Sequence, residues 1–478
     1  MATTETFVRP TTQLVPEALT LSPFDQFNGR HYLPLFFLFK QPDHNLFEVM
    51  ISELEEALAR LLSEIPFLAG NVMTQDESRD LLTLEIPEDG GVLFKVKRMV
   101  DADDGPVLDF EDLERADFPV DAFNPMVLCP GSILPDAVAP CLLIQANLIR
   151  GGLVLATHFH HSIVDGEGAM RIMIQWAKHV TAVSGGRVLP ESELLPAEAL
   201  DRTVLFPENE SRCQLCDFSS FQDRRGLSLI GESCWNVGER MEMTGGAKAK
   251  PVKGVSWFFS KENLRQIEEK AMPRDPNIPK MTESSVLSAF IFRHYTLARH
   301  LDQQGIDEAS FHYPCNIRSR IEPSLHPQYL GNSVVPSRTL LPLSEICSSG
   351  EDTLHRIASA ISSSIDWWSS DRIWELIGAM EAWPRVTEIE RTMDLNCKTD
   401  LHVTNLSGFS MVDSYWGPNL RYIVAFKLPA MALMDGYGLI MPRSADGGLE
   451  VILFMDVETL EVMKKDQEFT QYARFVCA

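Results

Sequence analysis

Two adjacent histidines, followed four residues later by Asp-Gly, form the segment of this 478-residue chain with the clearest chemical potential: His160-His161-Ser162-Ile163-Val164-Asp165-Gly166. A neutral imidazole, whose ordinary pKa is near ~6.5, can take a proton from an alcohol or an amine at neutral pH. His161 is therefore a candidate general base, for example in acyl transfer from a thioester. Asp165 either orients the ring, as in a Ser-His-Asp triad, or turns away and pairs with an arginine.

The same histidines have other interpretations. His161 could instead be a buried structural histidine whose ring N–H donates to a backbone carbonyl. His158 and His160 are two apart on a predicted strand, so they share a face and could bind a metal with Asp165. No third ligand follows at a known spacing, and Cys213-Gln214-Leu215-Cys216 is a lone pair of thiols. We therefore predict no metal site, and we expect His160 to pack beside the site.

A hairpin must position the histidines. The apolar runs Cys141–Ile149 and Leu153–Phe159 flank Arg150-Gly151-Gly152, which is a hairpin signal. Ala169–Val183 then has helical periodicity and is followed by Ser184-Gly185-Gly186. His161 is thus predicted at the exit of a strand, in a turn that Asp165 and Gly166 close before a helix.

The remaining patterns mix strands and helices without regular βαβ alternation, which indicates an α/β fold with two mixed-sheet domains. Between them, residues 187–250 are rich in polar residues, proline and glycine, and are predicted to form a long crossover. The other predicted elements are an amphipathic helix in the segment Phe47–Leu68 that Pro66 stops, two strands with a turn between 82 and 100, a strand over Val255–Phe259, a helix over Lys261–Ala271 and a helix over Val286–Arg299 capped by Thr282.

Composition excludes several classes of protein. Lys plus Arg number 42 and Asp plus Glu 67, so the formal net charge is −25, which argues against a nucleic-acid partner. Neither a basic-then-apolar leader nor an apolar run of ~20 residues is present, so we expect no membrane association. The nine cysteines are odd in number and scattered, which is typical of reduced thiols in a cytoplasmic enzyme.

The histidine motif resembles that of the BAHD acyltransferases and of peptide-synthetase condensation domains. The rest of the chain resembles the BAHD side, particularly stand-alone fungal members similar to trichothecene 3-O-acetyltransferases. The segments that carry this resemblance, in chain order, are Leu21-Ser22-Pro23-Phe24-Asp25, Leu54–Gly70, Ile144–Gly152 and Asn316-Ile317-Arg318-Ser319-Arg320 through Tyr329-Leu330-Gly331-Asn332. Together they extend from about Leu21 to Asp456.

The resemblance implies two chloramphenicol-acetyltransferase-like domains around a central channel. We place the N-terminal domain at 1–200, the crossover linker at 201–250 and the C-terminal domain at 251–478. It further implies that Asp165 forms a salt bridge with Arg318 and that Gly166 leaves room for the turn. Thr404 and Asn405 are the nearest match to the family's oxyanion donors, and Ser407 is a rival.

Two segments depart from the family pattern. The usual "DFGWG" is here Asp413-Ser414-Tyr415-Trp416-Gly417, and we expect Asp413, Trp416 and Gly417 to be structural. Ser285 stands where relatives often carry Asp, which leaves the coenzyme contacts unassigned. Trp367, Trp368 and Trp374 are predicted either to line the acceptor pocket or to pack in the core.

The resemblance implies an acyl-CoA-dependent O-acyltransferase, with an acetyl donor and a hydroxyl of a small secondary metabolite as acceptor. Gly-x-Ser-x-Gly does not occur near the histidines, so we expect direct attack within a ternary complex. The predicted partners are the acceptor alcohol and acyl-CoA, with no tightly bound cofactor, and the enzyme is expected to be a monomer. The alternative is a condensation-type enzyme that takes its acyl group from a carrier protein, with an amine acceptor or a cyclisation.

Overall fold

The hairpin predicted before the histidines is present, and both of its strands lie inside a six-stranded sheet. The computed structural model describes residues 3–100, 108–207, 213–223, 251–273, 278–393, 399–428 and 435–477 of the chain. Pairing between Ile149 and Gly152 closes the hairpin, and Gly151 has a φ of 78°, a left-handed conformation that glycine adopts readily. The second hairpin strand is buried along its whole length.

Strands and helices alternate irregularly along the described residues. The strands are β1 (Thr3–Val8), β2 (Glu17–Thr20), β3 (Tyr32–Lys40), β4 (Asn71–Asp76), β5 (Leu81–Ile86), β6 (Val92–Arg98), β7 (Val138–Pro140), β8 (Leu142–Ile149), β9 (Gly152–His160), β10 (Phe221–Asp223), β11 (Val252–Phe259), β12 (Glu308–Asn316), β13 (Val334–Pro342), β14 (Ile389–Arg391), β15 (Asp400–Asn405), β16 (Ala425–Lys427), β17 (Tyr437–Ile440), β18 (Leu449–Asp456) and β19 (Arg474–Cys477).

The α-helices are α1 (Pro23–Phe27), α2 (Phe47–Glu64), α3 (Phe110–Arg115), α4 (Pro125–Leu128), α5 (Gly166–Ser184), α6 (Lys261–Lys270), α7 (Glu283–Ala298), α8 (Leu343–Ile346), α9 (Thr353–Asp366), α10 (Ser370–Glu381), α11 (Gly417–Leu420), α12 (Val457–Met463) and α13 (Gln467–Tyr472). In the described part of the chain, no helix has the length and apolarity needed to cross a membrane.

The first large sheet has the order β1-β6-β8-β9-β3-β16. Its β6–β8 pair is parallel and its other pairs are antiparallel, so the sheet is mixed, as the sequence predicted. Helices α2 and α5 share one apolar core with it, and the indole of Trp176 donates to the Leu54 carbonyl at 3.2 Å. This core fixes the strand and the helix that flank the histidine loop.

The second large sheet has the order β13-β12-β15-β17-β18-β11-β19 and is also mixed, because β15 runs parallel to both of its neighbours. Helices α7 and α9 share its apolar core. The first sheet takes its edge strand β16 from the second half of the chain. Two smaller sheets, β2-β5-β4-β7 and β10-β14, complete the architecture.

Most predicted elements are confirmed, with shifts at their ends. The helix predicted to stop at Pro66 ends at Glu64, and a 3₁₀ turn at Pro66–Ala69 follows. The two strands predicted between 82 and 100 are present as β5 and β6, but they belong to different sheets. Thr282 caps α7 by accepting from the Ser285 N–H at 3.1 Å. In the predicted crossover, residues 208–212 and 224–250 lie outside the described residues.

Candidate active site

His161 lies in a short loop between β9 and α5. Its backbone N–H donates to the His31 carbonyl at 2.8 Å, and the Ile163 N–H donates to the His160 carbonyl at 3.0 Å. The loop departs from a buried strand, so its backbone polar groups need protein partners. His158 and His160 are 0% and 2% exposed, whereas His161 is partly exposed. The histidine that the sequence selected is therefore the accessible one.

Asp165 ends the loop as the N-cap of α5, where it accepts from the Gly168 N–H at 2.8 Å. The two nitrogens Nη1 and Nη2 of Arg318 donate to its two oxygens, each at 2.9 Å. The Ser333 N–H and hydroxyl donate to Oδ2 at 3.0 and 3.2 Å. Both oxygens are thus engaged away from His161. The predicted Asp165–Arg318 salt bridge is confirmed, and the structure does not show the triad arrangement.

Arg318 joins the two halves of the chain at this point. Its Nε donates to the Tyr329 carbonyl and its Nη2 to the Gly331 carbonyl, both at 3.1 Å. Burial raises the pKa of the Asp165 carboxyl, but the Arg318 charge and the hydrogen bonds outweigh it, so that pKa is held below its ordinary value. The pair is therefore ionised at neutral pH.

A second buried ion pair contacts the same loop, and the sequence did not predict it. Arg202 Nη1 donates to Asp25 Oδ2 at 2.7 Å, and the two side chains are 5% and 0% exposed. Arg202 Nη2 donates to the Ile163 carbonyl at 2.7 Å. Asp25 belonged to a recognised motif, but Arg202 stands alone in the predicted crossover and no local pattern marks it.

The rings around the loop are held neutral. Burial lowers the pKa of His158 to about 4, and burial with the neighbouring charges lowers that of His160 to about 3. The pKa of His161 is also lowered, first by burial and then by the Arg391 charge, while its own carbonyl, Asp165 and the Val164 carbonyl oppose the shift. A lowered pKa keeps His161 in the form that accepts a proton at neutral pH.

The predicted oxyanion donors lie at the end of β15, in the other half of the chain. Thr404 Oγ1 is 3.3 Å from both His402 Nε2 and the Tyr437 hydroxyl. Asn405 Nδ2 donates to Ser284 Oγ at 2.8 Å, and its Oδ1 accepts from the Ser407 N–H at 2.8 Å. Ser407 therefore supports the Asn405 amide through its backbone.

Trp416 and Gly417 have the structural character that was predicted. Trp416 is fully buried, with edge-to-face contacts to Trp176 and Phe39 at ring-centroid distances of 5.7 and 5.3 Å. Gly417 has a φ of 81°, which disfavours other residues. Asp413 ends a 3₁₀ turn, where its N–H donates to the Ser410 carbonyl at 3.1 Å.

The prediction that Gly166 leaves room for the turn is wrong. A Cβ on Gly166 would meet only Phe409, at an ordinary 3.7 Å, and its φ is not in the left-handed region. The tight position is Gly168, where a Cβ would lie 2.1 Å from the Leu330 carbonyl oxygen. The close approach occurs two residues later, because α5 packs there directly against residues 329–331, whose backbone carbonyls accept hydrogen bonds from Arg318.

The tryptophans and cysteines that the sequence analysis singled out lie outside the histidine loop. Trp368 is buried and stacks on Phe218 at 5.9 Å in an apolar cluster, so it packs in the core. Trp374 packs against the same cluster, and Trp367 is 37% exposed. Cys213 is a free thiol, like Cys216. Within the described ranges no group of three or more His, Cys, Asp or Glu side chains could hold a metal ion.

Comparison with known proteins gives relatives along the whole chain. Acyltransferase easC of Emericella nidulans is 27% identical, covering 98% of this chain and 98% of the relative. Trichothecene 3-O-acetyltransferase TRI101 of Fusarium sporotrichioides is 23% identical, covering 93% and 94% respectively. The crystal structure of F. graminearum TRI101 complexed with coenzyme A and T-2 mycotoxin superposes with a TM-score of 0.80 at 20% identity, covering 96% of this chain and 100% of that one.

The likeness in structure confirms the mixed α/β, two-domain fold that the sequence predicted. The model of the Transferase family matches residues 2–470, which is nearly the whole chain. The chain therefore belongs to the Transferase family, the BAHD-type acyltransferases that its motifs resemble, and it is an acyltransferase.

Proposed function

We propose that this acyltransferase transfers an acetyl group from acetyl-CoA to a hydroxyl of a small secondary metabolite, with His161 as the general base. The observation that carries the proposal is the state of His161 itself. It is the accessible ring of the histidine cluster, its lowered pKa keeps it neutral, and Asp165 is turned away to hold the loop. A ring in this state is suited to take a proton from a bound alcohol.

The reaction then proceeds in one ternary complex. The Nδ1 atom of His161 is buried, so Nε2 is the ring nitrogen that a bound alcohol can reach, and the proposed reaction uses the tautomer with its proton on Nδ1. This leaves Nε2 to take the proton of the alcohol, whose oxygen attacks the thioester carbonyl carbon. When the carbon–sulfur bond breaks, the imidazolium returns the proton to the departing thiolate, giving the ester and free coenzyme A.

Thr404 and Asn405 are the proposed donors to the tetrahedral oxyanion. Burial lowers the pKa of His402 well below its ordinary value, so this ring is neutral. Its Nδ1 has no partner, and an orphaned acceptor is less costly than an orphaned donor, which favours a proton on Nε2. That proton points at Thr404 Oγ1, and the threonine hydroxyl hydrogen is available for a ligand when the Tyr437 hydroxyl also donates to Oγ1.

The relatives support the proposed donor and the proposed class of acceptor. The F. graminearum protein was crystallised with coenzyme A and a mycotoxin, and the F. sporotrichioides relative is named for 3-O-acetylation of trichothecenes. These names support acetyl-CoA as co-substrate and a small hydroxylated molecule as acceptor. We also propose that the enzyme is a monomer, which light scattering after gel filtration would test. We further propose that it acts in the cytoplasm, which localisation of a tagged chain would test.

A donor and acceptor screen tests the proposed function. The enzyme is incubated with radiolabelled acetyl-CoA and a panel of hydroxylated sesquiterpenes and polyketides, and labelled esters are counted. The matched reaction uses an acetylated carrier protein as donor and amines as acceptors. Ester formation from acetyl-CoA that His161→Ala abolishes supports the proposal. Transfer only from the carrier protein, or only to amines, would favour the condensation-type alternative.

A further inference from the structure

The loop that carries His161 is held by both buried ion pairs, and one asparagine connects them. Asn332 is fully buried. Its Nδ2 donates to Asp25 Oδ1 and to the His161 carbonyl, each at 2.9 Å, and its backbone N–H donates to Asp25 Oδ1 at 3.0 Å. The next residue, Ser333, donates its N–H to Asp165 at 3.0 Å. Two consecutive residues thus bridge the Asp25–Arg202 and Asp165–Arg318 pairs.

The orientation of the Asn332 amide is determined by its surroundings. A carboxylate oxygen and a carbonyl oxygen both face the same amide atom, and both can only accept a hydrogen bond. The amide must therefore present its nitrogen to them, and its Oδ1 is left buried without a partner. A buried polar atom without a partner is a cost that a simple packing role does not require.

We propose that Asn332, supported by the Asp25–Arg202 ion pair, is a positioning residue for His161. This inference rests on the proposed role of His161 as the general base. Asn332 binds the carbonyl of His161, and Arg202 binds the carbonyl of Ile163 two residues later. The Asp25 carboxylate holds both donors in place, since it accepts from Arg202 Nη1 and from the Asn332 amide. The loop backbone is therefore held at two points on either side of residue 162.

Two consequences for catalysis follow from this contact. A base that moves by about 1 Å can lose on the order of 100-fold in rate, so a looser loop lowers kcat. The His161 carbonyl also faces its own ring and favours the protonated form. The Asn332 amide donates a hydrogen bond to that carbonyl and so weakens the negative potential that the carbonyl exerts on the ring. Removing the amide should therefore raise the pKa of the ring and reduce its neutral fraction at neutral pH.

The test compares Asn332→Ala with a matched buried asparagine. Asn147 on β8 is also fully buried, and its Nδ2 donates to the carbonyls of Leu128 and Val154 at 2.9 and 3.1 Å. Asn147→Ala should destabilise the fold to a similar degree without touching the loop. Acetyl-CoA hydrolysis, with water as the acceptor, provides an assay that needs no identified alcohol. Diethyl pyrocarbonate labelling of His161 at a series of pH values, read by peptide mass spectrometry, reports the ring's pKa independently of activity.

For Asn332→Ala we expect a kcat roughly 10- to 100-fold below that of Asn147→Ala, a KM for acetyl-CoA within about twofold, and a labelling midpoint shifted to higher pH. If Asn332→Ala does not fold, Asn332→Ser is used, because its one hydroxyl proton can serve the Asp25 carboxylate but not the His161 carbonyl as well. A kcat and a midpoint equal to those of Asn147→Ala would overturn the inference. If His161→Ala itself retained hydrolysis, the proposed function would fail first, and labelling alone would decide the positioning role.

Discussion

Replacing Asp165 by asparagine should damage this enzyme through its structure. The aspartate accepts five hydrogen bonds, two of them from Arg318. The substitution removes the charge and replaces one oxygen by an amide NH₂ group. Because both oxygens of Asp165 accept hydrogen bonds, that NH₂ group faces donors in either orientation of the side chain. Arg318 then stays 7% exposed beside a partner without charge. Breaking a buried pair in this way costs about 3–5 kcal/mol.

That cost translates into a measurable shift in melting temperature. An unfolding entropy of about 2 cal/mol/K per residue gives about 1 kcal/mol/K for 478 residues, so Asp165→Asn should lower Tm by about 3–5 °C if unfolding is cooperative. Arg318→Ala should shift Tm similarly, and the double variant should cost much less than the sum of the two. Differential scanning calorimetry of the three variants checks this. An Asp165→Asn protein with unchanged Tm and a strongly altered His161 pKa would refute the reasoning and favour a triad.

Three further predictions follow from other parts of the structure. His158 and His160 have pKa values lowered to about 4 and about 3, so the stability of the neutral buried rings is present above pH ~6.5 and is lost as pH falls towards the folded values, at about 2 kcal/mol per ring by pH 5. Urea unfolding from pH 7 to 5 should show this loss, and glutamine at both positions should reduce it by about the contribution of these two rings; an unchanged loss would contradict the prediction. Thr404→Ala should lower kcat by about 100-fold or more with little change in KM, because an oxyanion donor acts mainly in the transition state, and steady-state kinetics that show a change only in KM would contradict this. Gly417→Ala should lower Tm more than Gly305→Ala. Both glycines have positive φ, but a Cβ on Gly417 would lie 2.8 Å from a serine hydroxyl, whereas a Cβ on Gly305 would meet open space. Equal Tm shifts for the two variants would contradict this prediction.

The sequence predicted the parts of the site that are local in the chain. The hairpin, the histidine loop and helix α5 are contiguous, so periodicity and turn residues were enough to order them. The Asp165–Arg318 pair spans 153 residues and could be predicted only because a family resemblance connected two motifs. The domain boundaries at 200 and 250 stay a prediction.

Long-range contacts whose partners the family resemblance did not connect could not be read from the sequence. Arg202 pairs with Asp25 across 177 residues, and Asn332 reaches Asp25 across 307. The sequence around a charged residue does not show whether the fold buries that residue or leaves it at the surface. The same limit applies to β5 and β6, which were predicted as two strands with a turn but lie in different sheets. It also applies to Gly168, whose close neighbour comes from residue 330.

The central claim is that His161 supplies the base, and the rate of acetyl transfer by His161→Ala tests it most directly. The variant is assayed with acetyl-CoA and the acceptor that the screen identifies, alongside its Tm and its coenzyme A affinity by calorimetry. We expect both physical quantities to stay near wild type while kcat falls by about 100-fold or more, since general-base catalysis contributes about that much. A folded His161→Ala enzyme that keeps more than about a tenth of the wild-type rate would contradict the account.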